Sequence, residues 1–387
     1  MAISNIIGPP VTGDNFYGRE AELARAHDFL NTRHSIVLSA PRRIGKSSFA
    51  MRLVEDKRKQ GWKCVYLDLE NVNTEDEFLQ SLISEFDKSG IWAKTAKTAG
   101  GFISTVLESI KSIGPVKIDY QSNPALQNPY LTLSESIDHS FDTLVVIDEL
   151  TLFLGVLERS NRPAEDIAYF LNWFRSLRQV TDSRVRWIFC GSIGLHNFTN
   201  SRRLSHTIND LAELNFDEMS DQEAFGLVRA LAESDGVDMD DEAIRTMLDM
   251  LRWNIPYFIQ LLFRTIKDNT KVGMPVTASI IQESFNQLVR TEHLNTWSER
   301  LGEYNGYEKG ARFMLNLLSQ SEVGIAKSQM VSAYMKQSGE TDQFTADSDV
   351  SIILNMLEHD GYIQRRDGKR AFRSPLLKAW WNYKFVE

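Results

Sequence analysis

Two cysteines in 387 residues are too few for a disulfide framework. Cys64 and Cys190 both sit in apolar, strand-like runs, and none of the seven histidines stands at ligand spacing, so a zinc cage is not indicated. A reducing cytoplasm is the simple expectation. Nowhere do about 18 apolar residues run together, so no membrane span and no membrane partner is expected. The start, M-A-I-S-N-I-I-G-P-P, has neither a basic segment nor an apolar run long enough for a signal peptide. No repeat and no long low-complexity tract interrupts the chain. Excess positive charge is missing as well. Lys plus Arg is 43 against 52 Asp plus Glu, a net charge of −9, which excludes a basic nucleic-acid coat but not a local basic patch. No Ser-His-Asp or Cys-His arrangement can be argued. What the chain does have is core material: 42% of it is hydrophobic, enough for two or three domains at about 150 residues each.

The first half alternates short apolar strands with helical stretches. Ser35 to Ser39, Lys63 to Leu69, Leu144 to Ile147 and Arg184 to Cys190 read as strands. Gly45 to Gln60, with Phe49, Leu53 and Val54 on one face, and Glu75 to Ser89 read as helices. Apolar strands separated by helices predict an α/β fold, a parallel sheet with helices on both faces. Residues 93–130 break the pattern and read as an insertion, either a partner surface or a tolerated excursion. From about Ser220 the strands vanish. Asp221 to Glu233, Asp240 to Leu251, Pro256 to Asn269 and Thr277 to Thr291 show helical spacing, with Ser220 and Asp240 as caps. Helices at about Tyr307–Ser319, Lys327–Lys336 and Asp347–Asp360 then precede a hairpin turning at Asp367-Gly368, the pattern of a winged helix-turn-helix. The expected division is 1–218, 219–303 and 304–387.

Between the first strand and the first helix lies A-P-R-R-I-G-K-S, Ala40 to Ser47. The spacing is that of the P-loop, G-x-x-x-x-G-K-[ST], with Ala40 in place of the first glycine. Backbone N–H groups of such a loop wrap a phosphate, and the helix start adds unpaired donors and a positive dipole end. Gly45 lets the backbone come close and take φ > 0. Lys46 would reach the β- and γ-phosphates as a compact charge, and Ser47 would offer its hydroxyl to Mg²⁺. Were φ > 0 needed at the first position, Ala40 would cost about 1 kcal/mol and weaken nucleotide binding. Arg42 and Arg43 are either phosphate contacts or solvated loop arginines.

The partner motif is L-V-V-I-D-E, Leu144 to Glu149. Carboxylates at the end of a buried strand are costly to desolvate unless they serve a cation. That edge of an α/β sheet is where ligands bind. Asp148 would hold Mg²⁺, mostly through water, and Glu149 would orient and deprotonate the attacking water.

N-F-Y-G-R-E-A-E-L (Asn15 to Leu23), A-P-R-R-I-G-K-S-S (Ala40 to Ser48), V-V-I-D-E and S-P-L-L-K-A-W-W (Ser374 to Trp381) together resemble the archaeal-type ATPases of the AAA+/STAND group of P-loop NTPases. The resemblance implies a P-loop sheet domain followed by a helical lid and a C-terminal winged helix. It implies ATP or ADP with Mg²⁺ as cofactors. Its loop binds nucleotide through Ala40, Pro41, Arg42, Arg43, Ile44, Gly45, Lys46, Ser47 and Ser48. Phe16, Tyr17, Gly18 and Arg19 match the segment that borders adenine and ribose in such proteins; a hydrophobic strap is the other reading. Ser192, after the Arg184–Cys190 strand, matches a sensor of the γ-phosphate. Asn254 to Tyr257 (N-I-P-Y) resembles the lid's Gly-x-Pro element, with Asn254 replacing the glycine, so Pro256 carries over, although a proline at a helix start has its own explanation. Arg202 and Arg203 are either surface arginines or a finger reaching a neighbouring subunit's nucleotide.

The expected activity is that of a slow Mg-dependent ATPase, with Lys46, Glu149 and Ser192 as the catalytic set. It would act as a switch that couples nucleotide state to self-assembly or to a partner protein. The alternative is an ATP-regulated DNA-binding loader or regulator. From Gly361 to Arg373 five cations face one acid, and duplex DNA would be held through Arg365, Arg366, Lys369 and Arg370. Against this, Asp347 to Asp360 is acidic and carries no Lys or Arg. A nucleotide-holding scaffold with negligible turnover is a third reading. Trp380, Trp381, Tyr383 and Phe385 read as core that fastens the C-terminus.

Overall fold

The structure is a computed structural model, and it describes residues 3–92, 129–159, 164–191, 195–304 and 306–386. The insertion expected at 93–130 therefore lies outside the described residues, apart from its last two. The chain falls into two compact units: Arg19–Ala40 with Lys46–Phe216, and Met1–Gly18 with Pro41–Gly45 and Asp217–Glu387.

The first unit is built on a five-stranded sheet in the order β2-β3-β4-β1-β5. Its strands are β1 (Ile36–Ser39), β2 (Lys63–Asp68), β3 (Thr143–Asp148), β4 (Val185–Gly191) and β5 (Ala212–Glu213). Every pairing is parallel. All residues of β3 and β4 are buried, which explains why both are apolar apart from Thr143, Asp148 and Arg186. The one charge in β4, Arg186, donates to the carbonyls of Ser183 and Val185 at 2.8 Å, so its burial leaves part of it satisfied locally. Helix α1 (Glu20–Asn31) precedes β1. Helix α2 (Lys46–Lys59) buries Phe49, Ala50, Leu53, Val54 and Lys57 along one face, the spacing of a helix lying on a sheet. Helix α3 (Glu75–Ser89) begins where the Thr74 side chain accepts from the Glu77 N–H and ends at Gly90, φ 66°. Around β4, Phe78 stacks on Phe153 at 5.3 Å, and Phe174 meets Trp187 at 5.6 Å edge-on.

The second unit is helical. A capping box joins Ser220 and Glu223 at the start of the helix Asp221–Asp235, and Asp240 caps Asp241–Leu251. Pro256–Asn269 starts on its proline, and Ala278–Val289 starts from Thr277. Glu308–Ser319, Lys327–Ser338 and Gln343–His359 follow, then a three-stranded antiparallel sheet ordered β6 (Ile325–Ala326), β8 (Lys369–Phe372), β7 (Ile363–Arg366). The three helices and the hairpin lie where the sequence places them, and β6 adds a third strand to the expected pair. Asp367 (φ 49°) and Gly368 (φ 76°) take the paired left-handed conformations that a two-residue hairpin turn requires. The helix expected from Asp347 begins a turn earlier, because the Asp342 side chain accepts from the Thr345 N–H at 2.8 Å. In the last helix, Pro375–Phe385, Trp380 and Trp381 are core, whereas Tyr383 (46% exposed) and Phe385 (37%) reach solvent. Among the described residues no helix is long and apolar enough to cross a membrane.

Candidate nucleotide site

β1 runs out at Ser39, and Ala40 is buried behind it. Ala40 is not among the residues with positive φ. The strain anticipated at the missing glycine is therefore absent, and with it the reason to expect weaker nucleotide binding from Ala40. Left-handed backbone appears later in the loop, at Arg43 (φ 65°) and Gly45 (φ 102°). Glycine serves at 45, where any side chain would strain the backbone. Arginine at 43 tolerates the left-handed state at about 1–2 kcal/mol. Its guanidinium lies 4.6 Å from the Tyr257 ring centroid and donates to the Gly8 carbonyl at 3.4 Å. Pro256 sits beside the same loop, 3.9 Å from where a Cβ on Gly45 would stand.

Lys46 opens α2. It is buried, and its Nζ donates to the Ala40 carbonyl at 2.7 Å. Ser47 follows and hydrogen-bonds the Asp148 carboxylate, at the far end of β3.

Asp148 is 2% exposed. Tyr66, on β2, donates its hydroxyl to Oδ2 at 2.5 Å, and the Glu149 N–H donates to Oδ1 at 3.0 Å. Burial pushes the Asp148 carboxyl up; the Tyr66 and Ser47 donors pull it back, Glu149 pushes it up again, and Lys46 lowers it. Burial, then the Asp148 charge, holds the Tyr66 phenol protonated far above its usual range. Asp68 pairs with Asp148 across the β2–β3 ladder, so both carboxylates stand at the same level of the sheet edge. Partial desolvation raises Asp68 too, although it is exposed, with the Glu70 N–H that it accepts acting against this and the charges of Glu70 and Glu149 adding to it. Glu149 itself is half-buried with φ 56°, a left-handed residue where the strand breaks into the next helix. Strained backbone of this kind persists where surrounding structure over-determines it.

This donor set suits one kind of metal. Among the described residues no three His, Cys, Asp or Glu side chains form a metal cage. What Ser47 and Asp148 offer is one hydroxyl and one carboxylate in mutual contact. That is a poor zinc site but a fitting one for Mg²⁺, which keeps water and phosphate oxygens in most of its shell.

The remaining expected residues are distributed as follows. Phe16, Tyr17 and Gly18 belong to the helical unit. There a Cβ on Gly226 would overlap the Tyr17 hydroxyl, and one on Gly18 (φ 73°) would stand 3.0 Å from Glu223 Oε1. Arg19 belongs to the sheet unit, where it is buried, ion-paired with Glu22 at 2.9 Å and 4.3 Å from the Phe216 ring centroid. Asn254 ties the start of its helix in place by donating to Asp221 at 2.9 Å. Ser192 lies outside the described residues; β4 ends one residue before it, at Gly191. Arg202 is engaged with Glu158 at 2.6 Å and packs on the Phe198 ring, while Arg203 is exposed.

The basic wing is smaller than its composition implied. Arg370 is buried and ion-paired with Glu358, so it does not stand at the surface as expected for a DNA contact. Arg373 pairs with Glu218 and lies 5.0 Å from the Trp253 ring centroid. Arg365 and Arg366 are exposed, and Lys369 is half-buried. The acids counted on the neighbouring helix are likewise occupied: Asp347 by Lys327 at 2.7 Å, Asp349 by the Tyr334 hydroxyl at 3.3 Å, Glu358 by Arg370 and Asp360 by Arg300.

Tyr66 and Asp68 are the site residues that sequence reasoning missed. The available signal was the period of a strand: in K-C-V-Y-L-D, residues 66 and 68 share a face.

No protein-family model matches the chain, and no curated protein does. Among solved structures, a Walker-type ATPase of Pyrococcus abyssi is similar with a TM-score of 0.65 and 13% identity, over 98% of this chain and 99% of that one. ORC2 of Aeropyrum pernix, solved in ADPNP–ADP complexes, gives 0.49 and 13% over 97% and 98%. RuvB of Thermotoga maritima, a Holliday junction branch migration motor, gives 0.44 and 13% over 94% of each chain. The first, extending over both whole chains, shows the fold.

Proposed function

We propose that this chain, which has the fold of the AAA+ P-loop ATPases, binds ATP and hydrolyses it as a molecular switch. The observation that carries the reading is the meeting of Lys46, Ser47 and Asp148, with Glu149 next in the chain, where the P-loop and the Asp-Glu strand come together. The backbone of Ala40 to Ser48 wraps the phosphates, and Lys46 takes the β- and γ-phosphate charge. Ser47 and Asp148 hold the Mg²⁺, which neutralises charge on the phosphates when bound. Glu149 accepts the proton of the attacking water. Ser192 reads the γ-phosphate. Phe16, Tyr17, Gly18, Arg19 and Pro256 border the base and ribose. The ATPase module spans 1–218, the lid 219–303 and the winged helix 304–387. Output passes to a partner protein or to further copies of the chain.

Nucleotide binding and phosphate release test the reading together. Lys46→Ala should abolish ATP binding, whereas Glu149→Gln should bind ATP and lose about 10²- to 10⁴-fold in turnover. Unchanged turnover in both variants would end the assignment.

The exposed Arg365 and Arg366 favour a second reading, in which the wing grips duplex DNA and ATP governs assembly. Replacing both by Ala should then weaken DNA binding and flatten its salt dependence by about two counterions. No DNA shift at about 50 mM salt removes this reading and leaves the first intact.

A further inference from the structure

Asp148 is held more firmly than a magnesium-site carboxylate needs. Its backbone is fixed by β3, and both oxygens already have donors from the protein. The Glu149 N–H reaches Oδ1 at 3.0 Å, which is a local consequence of the strand's end. The donor to Oδ2 comes from elsewhere. Tyr66 lies opposite Val146 in the β2–β3 ladder, and Asp148 is two residues beyond Val146. Side chains two apart on a strand share a face, so the phenol and the carboxylate are diagonal neighbours on one side of the sheet. A tyrosine is long enough to span that diagonal. Its hydroxyl arrives 2.5 Å from Oδ2, while Ser47 bonds the same carboxylate from α2. A shorter residue at 66 would take the Oδ2 donor away and leave the carboxylate's rotation to the Glu149 N–H and Ser47.

Resting on the nucleotide-site reading above, we propose that Tyr66 is a positioning residue for the cation: its hydroxyl sets the rotation of the Asp148 carboxylate so that the Ser47–Asp148 pair presents its oxygens as one divalent-cation site. The cost of turning Asp148 into place is met when the chain folds, before any cation arrives. Groups that orient a metal's ligands typically contribute 10- to 100-fold to its affinity. One hydrogen bond to one carboxylate oxygen belongs at the lower end of that range.

The test uses the full chain and a fluorescent ADP, titrated with Mg²⁺. In Tyr66→Phe, which keeps the ring and removes only the hydroxyl, the Mg²⁺ midpoint for tightening ADP should rise roughly tenfold. ADP affinity in EDTA should stay within about twofold, since Tyr66 is not assigned to the nucleotide itself. The same substitution made in an Asp148→Asn background should leave the midpoint where Asp148→Asn alone puts it, because the effect runs through that carboxylate. An unchanged midpoint in Tyr66→Phe overturns the proposal, as does a shift that persists in the Asp148→Asn background. If the wild-type protein binds ADP with no response to Mg²⁺, the nucleotide-site reading fails along with it, and the two failures are thereby told apart.

Discussion

The pair Arg300–Asp360 offers a prediction whose size follows from geometry. Arg300 donates through Nε to Asp360 Oδ2 at 2.9 Å, and the Tyr304 hydroxyl donates to the same oxygen at 2.8 Å. The two charged side chains are 2% and 4% exposed. Glu303, at 3.5 Å, is the other carboxylate near the guanidinium. Coulomb attraction at such a distance is ~6 kcal/mol at an effective dielectric of 20, and much of it is offset by desolvation. The pair as a whole therefore adds little net stability. Removing one partner is different, because the guanidinium stays buried with its main counter-charge gone. Asp360→Ala should cost about 3–5 kcal/mol, a large share of the 5–15 kcal/mol that holds a domain folded. Replacing both partners by apolar residues, Arg300→Met with Asp360→Leu, should recover most of that loss. Urea unfolding followed by tryptophan fluorescence reads both quantities. Arg300 precedes position 303 and Asp360 follows it, so residues 219–303 and 304–387 should unfold in one transition. A loss under about 1 kcal/mol in Asp360→Ala, or separate transitions in the wild-type protein, would refute the reasoning.

Three further outcomes are expected. Gly45→Ala, at φ 102°, should strain the loop by about 1–2 kcal/mol and weaken ATP binding by about 5- to 30-fold, while Ala40→Gly should change binding little; fluorescent-nucleotide titration compares them. Cys64, whose thiol burial pushes up to about 11, and Cys190, which burial holds well above the usual thiol range, should react slowly with iodoacetamide at pH 8 until the protein is unfolded; rapid native labelling would contradict the burial. Burial lowers His27, with Lys57 adding to it, and burial lowers His139 as well. The unfolded chain then binds protons that the folded one refuses. The stability contributed is present above about pH 6.5 and is lost as pH falls below it, so His27→Gln with His139→Gln should flatten the decline seen in urea titrations between pH 7 and 5.

Much of the sheet unit could be read in advance because its signals are local. The helix Glu75–Ser89 is marked by its Thr74 cap and by Gly90, and the buried strand at 143–148 by an unbroken apolar run ending in two acids. The helices Leu150–Arg159 and Ala164–Arg178 escaped notice. The first buries Leu150, Phe153, Leu154 and Leu157 at helical spacing, a period blurred in the sequence by the partly exposed apolar residues Leu152 and Val156. β5 is two residues long and exists through its pairing with β1, which no local pattern announces.

Spacing along the chain alone determined that a phosphate-type loop, a lysine, a serine and a pair of acids occur in the order such a site needs, because backbone geometry ties motif to conformation over a few residues. Folding alone decided that Tyr66 grips an acid 82 positions away, that Arg370 and Arg373 are spent on Glu358 and Glu218, and that Ala40 escapes the strain Arg43 bears. Those outcomes depend on which side chains share a buried volume, where an unpaired charge is too costly to leave and each must find the partner that packing puts within reach.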